Sequence, residues 1–140
     1  MRFKVCEFLP DEAAKIREEV FVREQGFQEE FDDIDGFAGH VVLYDNETAA
    51  ATCRFFEDAK EKIYVIGRIA VLKPYRGKGL GACILQKAEE EIRKRGGEII
   101  SLHAQQRAAG FYEKQGYFSE EKTDFDEGCP HVWMVKKLNR

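Results

Sequence analysis

Residues Ile63–Leu85, IYVIGRIAVLKPYRGKGLGACIL, run from an apolar stretch through a glycine-rich loop into an amphipathic one without a break. The segment from Lys62 to Leu72 is almost continuously apolar and β-branched, as a central strand covered on both faces requires, and it stops at Pro74. After the glycines, Leu80, Ile84, Ala88 and Ile92 recur at helical spacing with Leu85 filling the stripe, while Glu89, Glu90, Arg93 and Lys94 are expected on the outer face. A strand that passes through Arg76-Gly77-Lys78-Gly79-Leu80-Gly81 straight into a helix presents unpaired backbone N–H groups at the positive end of a helix dipole, which makes an anion site. Glycine lets the backbone approach a phosphate closely, and Arg76 and Lys78 add charge. The GxGxG spacing is neither the P-loop nor the dinucleotide fingerprint. Taken alone, these glycines also suit a plain strand-to-helix turn.

On the N-terminal side, Arg2 to Phe8 reads as a first strand. Pro10-Asp11-Glu12 opens a helix whose buried stripe is Ala13, Ile16, Val20 and Phe21. His40 to Tyr44 and Thr48 to Phe56, joined by Asp45-Asn46-Glu47, read as a hairpin. On the C-terminal side, Gly96-Gly97 caps the long helix, Glu98 to His103 is a strand, Gln106 to Gln115 a short helix closed by Gly116, and His131 to Lys137 a last strand. The pattern is α/β, or α+β in some schemes: a mixed sheet with helices on its faces.

With 140 residues, the chain has the length of one ordinary domain, and residues 1–140 are read as such. A composition of 44% hydrophobic and 34% charged residues with three prolines is that of a soluble globular protein, not a disordered or fibrous one. No signal-peptide pattern opens the sequence and no apolar run approaches the ~20 residues of a membrane helix, so a cytoplasmic protein with no membrane partner is expected. Cys6, Cys53, Cys83 and Cys129 are widely separated and form no CxxC pair; reduced thiols, no disulfide framework and no metal are expected. A net charge of −4 argues against a nucleic-acid partner.

RGKGLG (76–81) resembles the glycine signature of the GNAT superfamily of N-acetyltransferases, and AGFYEKQGY (109–117) is similar to a segment that follows it in that family. VFVREQGF, DDIDG, RIAVLKPYRGKGLG, LHAQ and GCPHVWM resemble the small bacterial ElaA-type branch, so the likeness extends over nearly the whole chain. The resemblance implies a GNAT fold, with a mostly antiparallel central sheet of about six to seven strands and helices on both faces. It implies acetyl-CoA as cosubstrate, with no metal, its pyrophosphate held by Arg76, Gly77, Lys78, Gly79, Leu80, Gly81 and Ala82. The pantetheine arm would lie along Ile69, Ala70 and Val71, with Gln105 standing where many relatives carry an asparagine that contacts the coenzyme.

Direct acetyl transfer needs a neutral amine, an electrophilic thioester and an acid for the leaving thiolate. By resemblance that acid is Tyr112; the alternative is an aromatic packed into the core beside Phe111. The base is open. A glutamate that some relatives carry on the central strand is replaced here by Gly67, leaving Glu24, Asp33, Asp35, Glu57, His103 and His131, with Glu24 and His103 foremost for catalysis; either histidine could instead be structural. The acidic run QEEFDDIDG (28–36) is either a solvated loop or a lure for a cationic acceptor through Asp33 and Asp35, and Phe31 breaks any calcium-loop pattern. Arg54 and Arg68 lie in apolar strands and need carboxylate partners, for which Glu24 and Asp35 are candidates. They either pair internally or, with His131, bind the acceptor. Cys83 is expected to pack, and the apolar ending His131 to Val135 offers an edge for pairing, so the protein is a monomer or homodimer. The activity expected is acetyl transfer to an amine of a small molecule or peptide; the alternative is a non-catalytic acyl-CoA sensor or interaction module on the same fold.

Overall fold

The computed structural model describes residues 1–28, 30–59, 62–126 and 128–138. Its elements are β1 (Arg2–Cys6), α1 (Asp11–Arg17) running on as a π-helical segment (Glu18–Glu24), a 3-10 turn (Asp33–Gly36), β2 (Gly39–Asp45), β3 (Thr48–Glu57), β4 (Ile63–Val71), α2 (Leu80–Lys94), β5 (Ile99–Gln105), α3 (Ala109–Lys114), β6 (Phe118–Asp126) and β7 (Cys129–Lys137). The strands form a seven-stranded sheet in the order β1-β2-β3-β4-β5-β7-β6. Every junction is antiparallel except the parallel β4–β5 pair.

One face of the sheet is covered by α2. Its stripe of Leu80, Ile84, Leu85, Ala88 and Ile92 is buried against the sheet, and each of the larger side chains contributes about 1.5–3 kcal/mol by leaving water. The helix ends as Gly96-Gly97 predicts: Gly96 takes φ +86°, its N–H donates to the Arg93 carbonyl, and the Gly97 N–H donates to the Ile92 carbonyl, a Schellman closure. Glu89 departs from expectation. It is buried rather than on the outer face, accepting from the Tyr117 hydroxyl at 2.8 Å and from Lys136 Nζ at 3.1 Å.

The opposite face is covered by α1 and its π-helical extension, which bury Ala13, Ile16, Val20 and Phe21. The wider π turn lets Val20 and Phe21 both face inward past the register of a regular helix. Arg17, within this helix, is 1% exposed and among the largest fully buried side chains.

Two expectations about the C-terminal part are corrected. Phe118–Asp126, FSEEKTDFD, forms a strand that the sequence reading left out, because its polar composition lacks the apolar alternation of a half-buried strand. Charged residues are what an outer edge strand carries to resist pairing with other chains. Because β6 occupies that edge, the His131 to Val135 stretch lies inside the sheet between β5 and β6 and cannot offer an edge. Cys83, expected to pack, is exposed.

Two irregularities of β4 shape the centre of the molecule. Thr52 faces Ala70 while Arg54 faces Gly67, so Arg68 and Ile69 together oppose a single residue of β3. This is a β-bulge, and Arg68 adopts φ +52° in it. In addition, β4 pairs with β5 over only Ile63–Ile99, Tyr64–Ile100 and Val65–Ser101. Beyond those pairs β5 follows β7, and the two parallel strands separate.

Candidate active site

The separation of β4 and β5 opens a cavity of about 430 Å³. Val65, Gly67, Arg68 and Ile69 line it from β4, and Leu102, His103, Ala104 and Gln105 from β5. Phe21 closes it from the π-helical segment and Gln25 from just past its end, and Arg54, Tyr112, Asp126, His131 and Trp133 are among its other walls. The Tyr112 ring packs edge-on against Phe111 and Tyr117, at 5.0 and 6.0 Å between centroids. Burial pushes its phenol well above the usual tyrosine range, so it stays protonated at neutral pH.

The glycine-rich loop continues from the end of β4 and is not part of the cavity wall. Gly79 caps α2 with φ +77°, and no side chain caps the helix, so the first-turn N–H groups remain available to an anion. Gly77 has φ +80°, and a Cβ placed on Gly77 or on Gly79 would meet no atom within 4 Å. The space beside these glycines is open, as a cradle for a diphosphate must be. Lys78 Nζ stands 5.6 Å from the centre of the Tyr75 ring. Arg76 does not reach across the loop. Its two terminal nitrogens each donate to Glu24 at 2.9 Å and its Nε donates to the Val71 carbonyl at 2.9 Å. The Arg76 hydrogen bonds hold the Glu24 carboxyl below the usual range, and the pair ties the π-helical segment to the loop.

Beside the cavity lies a network of three arginines and three acids. Arg17 donates from Nε to Glu30 at 2.8 Å and from its terminal nitrogens to Asp35 at 2.7 and 3.1 Å. Arg54 donates to Asp32 at 2.6 Å and to Asp35 at 3.0 Å. Arg68 pairs with Glu30 at 3.0 Å and with Asp32 at 3.4 Å. Burial pushes the Asp35 carboxyl up, but the Arg17 and Arg54 guanidiniums and the Asp32 N–H outweigh it and hold the group at about 2. For Glu30, burial wins over its arginines and raises the carboxyl. Charges balance within this group, so neither Arg54 nor Arg68 carries a spare charge for an acidic acceptor. Among the described residues, Arg54 Nε is the buried side-chain polar atom left without a hydrogen-bond partner.

The far wall is aromatic and imidazole-rich. His103 stacks on Trp133 at 4.6 Å and lies 4.6 Å from His131, centroid to centroid. His103 Nε2 is 2.6 Å from Asp124 Oδ1, and His131 Nδ1 is 2.8 Å from the Cys129 carbonyl oxygen.

The cavity therefore gathers Ile69, Gln105, Tyr112, His103, Arg54, Arg68 and His131 from the candidates named by sequence. Ala70, Val71 and the residues from Arg76 to Ala82 stand on the strand end and loop that adjoin it. Glu24 is drawn to Arg76 instead of to Arg54 or Arg68. Asp35, a candidate partner for Arg54 and Arg68, pairs with Arg54, and its oxygens are spent on Arg17, Arg54 and a backbone N–H, while Arg68 turns to Glu30 and Asp32. Asp33 is exposed and outside the cavity wall; Glu29 of the acidic run lies outside the described residues. Gln105 donates to Gln25 at 2.7 Å. Sequence reading did not single out Arg17, Glu30, Asp32, Gln25, Asp124, Asp126 or Trp133. Only Asp32 carries a local signal, since an acid three residues before Asp35 has capping-box spacing, and both of its reciprocal bonds form.

A model of the acetyltransferase (GNAT) domain matches residues 7–138. Among curated relatives, the uncharacterised N-acetyltransferase YjcF of Bacillus subtilis is 37% identical over 128 residues, covering 89% of this chain and 90% of its own length. A crystal structure described as that of an N-acetyltransferase from Lactobacillus plantarum matches with a TM-score of 0.88 at 31% identity, covering 99% of this chain and 100% of that one. ElaA of Escherichia coli shares the fold, with a TM-score of 0.86 at 23% identity over 96% of this chain and 98% of its own. A split parallel strand pair leading into a glycine-capped helix and a domain match over nearly the whole length lead to one conclusion: the chain belongs to the GNAT family of acetyltransferases and is an acyl-transferring enzyme.

Proposed function

We propose that the enzyme transfers an acetyl group from acetyl-CoA directly to an amine of a small molecule or peptide. The observation that carries this reading is the cavity between β4 and β5, which places Tyr112 and His103 in one wall system at the end of the strand that feeds the glycine loop. The open space beside Gly77 and Gly79 and the free first-turn N–H groups of α2 suit the pyrophosphate, and Lys78 adds charge. Bound there, acetyl-CoA supplies an electrophilic thioester and a thiolate leaving group. Ile69, Ala70 and Val71 offer backbone groups to the pantetheine amides, and a backbone N–H near Ala70 polarises the thioester carbonyl.

As the amine nitrogen bonds to the carbonyl carbon and the carbon–sulfur bond breaks, the Tyr112 hydroxyl donates its proton to the sulfur. The amine's proton passes to His103 on the ring nitrogen that Asp124 does not hold. Glu24 positions the loop through Arg76, and Arg54 and Arg68 shape the cavity without binding a charged acceptor. A calorimetric titration comparing acetyl-CoA, CoA and ATP, followed by thiol release over a panel of primary amines, tests the proposal. Selective coenzyme binding with turnover on an amine is the expected result. Binding without thiol release on any amine would favour the sensor reading, and no binding would remove the coenzyme assignment.

A further inference from the structure

The geometry points to a divalent-cation site of the zinc class at the open end of the cavity, held by His103, Asp126 and His131. One ligand atom from each of these residues lies within 4.8 Å of the others. They come from three neighbouring strands: His103 from β5, His131 from β7 and Asp126 from β6. The sheet register explains the convergence. Gln105 faces His131 and His103 faces Trp133, so the two histidines are diagonal neighbours on adjacent strands. Asp124 faces His131 across β6 and β7, and Asp126, two residues further on, returns to the same side.

The second contacts of the two imidazoles prepare them as ligands. A carbonyl oxygen only accepts, so His131 Nδ1 carries the hydrogen in its contact with Cys129, and Nε2 keeps its lone pair. His103 meets the Asp124 carboxylate through Nε2 and keeps the lone pair on its other nitrogen. Imidazoles held by a carbonyl or a carboxylate are the usual outer shell of a histidine metal site, where the partner fixes both tautomer and ring direction. Stacking on Trp133 further fixes the His103 ring. Two ligands on one tetrahedral zinc sit roughly 3.3 Å apart, given bonds near 2.0–2.2 Å. Ligand atoms as much as 4.8 Å apart draw in by about 1.5 Å to reach that spacing. His131 is buried, His103 half-buried and Asp126 exposed, so a cation can enter from solvent and retains open positions for water.

Two nitrogens and one carboxylate favour zinc, cobalt or nickel over magnesium and calcium, which require oxygen ligands. This site needs none of the four cysteines. A cation here occupies the His103 nitrogen that takes the amine proton in the proposed transfer, so the cation-bound chain is not the form that uses His103 as base.

The test is a calorimetric titration of chelator-treated full-length protein with zinc chloride, repeated with magnesium, and with cobalt followed by visible absorption. One zinc per chain, no magnesium binding, and cobalt bands of four- or five-coordinate type are expected. Asp126→Asn and His103→Gln should each weaken zinc binding at least 10-fold, and Asp124→Asn about 10-fold through the outer shell. Far-ultraviolet circular dichroism of the same Asp126→Asn sample, matching that of the unmodified protein, reports that the fold is intact. Absence of stoichiometric zinc binding in the unmodified protein would overturn the proposal. So would undiminished binding in both ligand variants, which would put the cation elsewhere, for example on the thiols.

Discussion

At the scale of single residues, Tyr112 and Glu24 make the sharpest contrast. Both were candidates for chemistry, and their surroundings differ. Tyr112 faces the cavity with a phenol that burial keeps protonated, which suits a group that must hold its proton until the thiolate appears. Tyr112→Phe should leave acetyl-CoA affinity unchanged and lower turnover by about 10²-fold, checked by calorimetry beside a thiol-release assay. Glu24 is bonded through both oxygens to a guanidinium outside the cavity. Its pair is partly exposed, at 41% and 30% for the two side chains, so its worth is about 1 kcal/mol or less. Glu24→Gln should therefore weaken coenzyme binding by no more than about 5-fold. If Glu24 were the base, turnover at saturating coenzyme would collapse instead, and a rate measurement under those conditions separates the two.

At the scale of elements, the site is the product of two deviations from regular structure. The bulge at Arg68–Ile69 and the early end of β4–β5 pairing pull the two central strands apart. Arg68 holds a left-handed backbone that costs a non-glycine residue roughly 1–2 kcal/mol, offset by its bonds to Glu30 and Asp32. The loop that follows depends on the same backbone region at Gly77 and Gly79, this time with glycine. Gly79→Val puts a β-branched side chain at φ +77° and fills the open space beside it. Loss of acetyl-CoA affinity by at least about 10-fold is expected in calorimetry. The core contacts of α2 are untouched, so the far-ultraviolet circular dichroism of the variant should match that of the unmodified protein.

At the scale of the whole molecule, the buried ion network joins α1, the 30–36 segment, β3 and β4. Its pH dependence has a definite sign. Asp35 sits at about 2 in the folded protein against 3.8 for the free group, so its carboxylate stabilises the fold fully above pH 4, and that contribution is lost as pH falls towards 2. The difference corresponds to about 2 kcal/mol. Thermal unfolding followed from pH 5 down to pH 2.5 should show a falling midpoint. Asp35→Asn should be less stable at pH 5, because Arg17 keeps its buried charge with one partner fewer. Its midpoint should also fall less steeply with acid, and a slope equal to that of the unmodified protein would take Asp35 out of the account.

What could be read from the chain alone was whatever local chemistry dictates. The apolar β4, the stripe of α2, the glycine turn at Gly79 and the closure at Gly96-Gly97 follow from hydrophobic periodicity and from backbone freedom at glycine, both of which act over a few residues. The backbone course of the glycine loop was legible for that reason. Partner choice was not, because Arg17, Glu30, Asp32, Asp35, Arg54 and Arg68 lie on segments far apart in sequence, and only folding sets which guanidinium meets which carboxylate. The same holds for the wall built by His103, Asp124, Asp126, His131 and Trp133, which requires β6 to pair with β7 and β7 with β5. A charged edge strand has no apolar alternation to announce it. It gains its place from backbone hydrogen bonds to a neighbour that only the assembled sheet supplies.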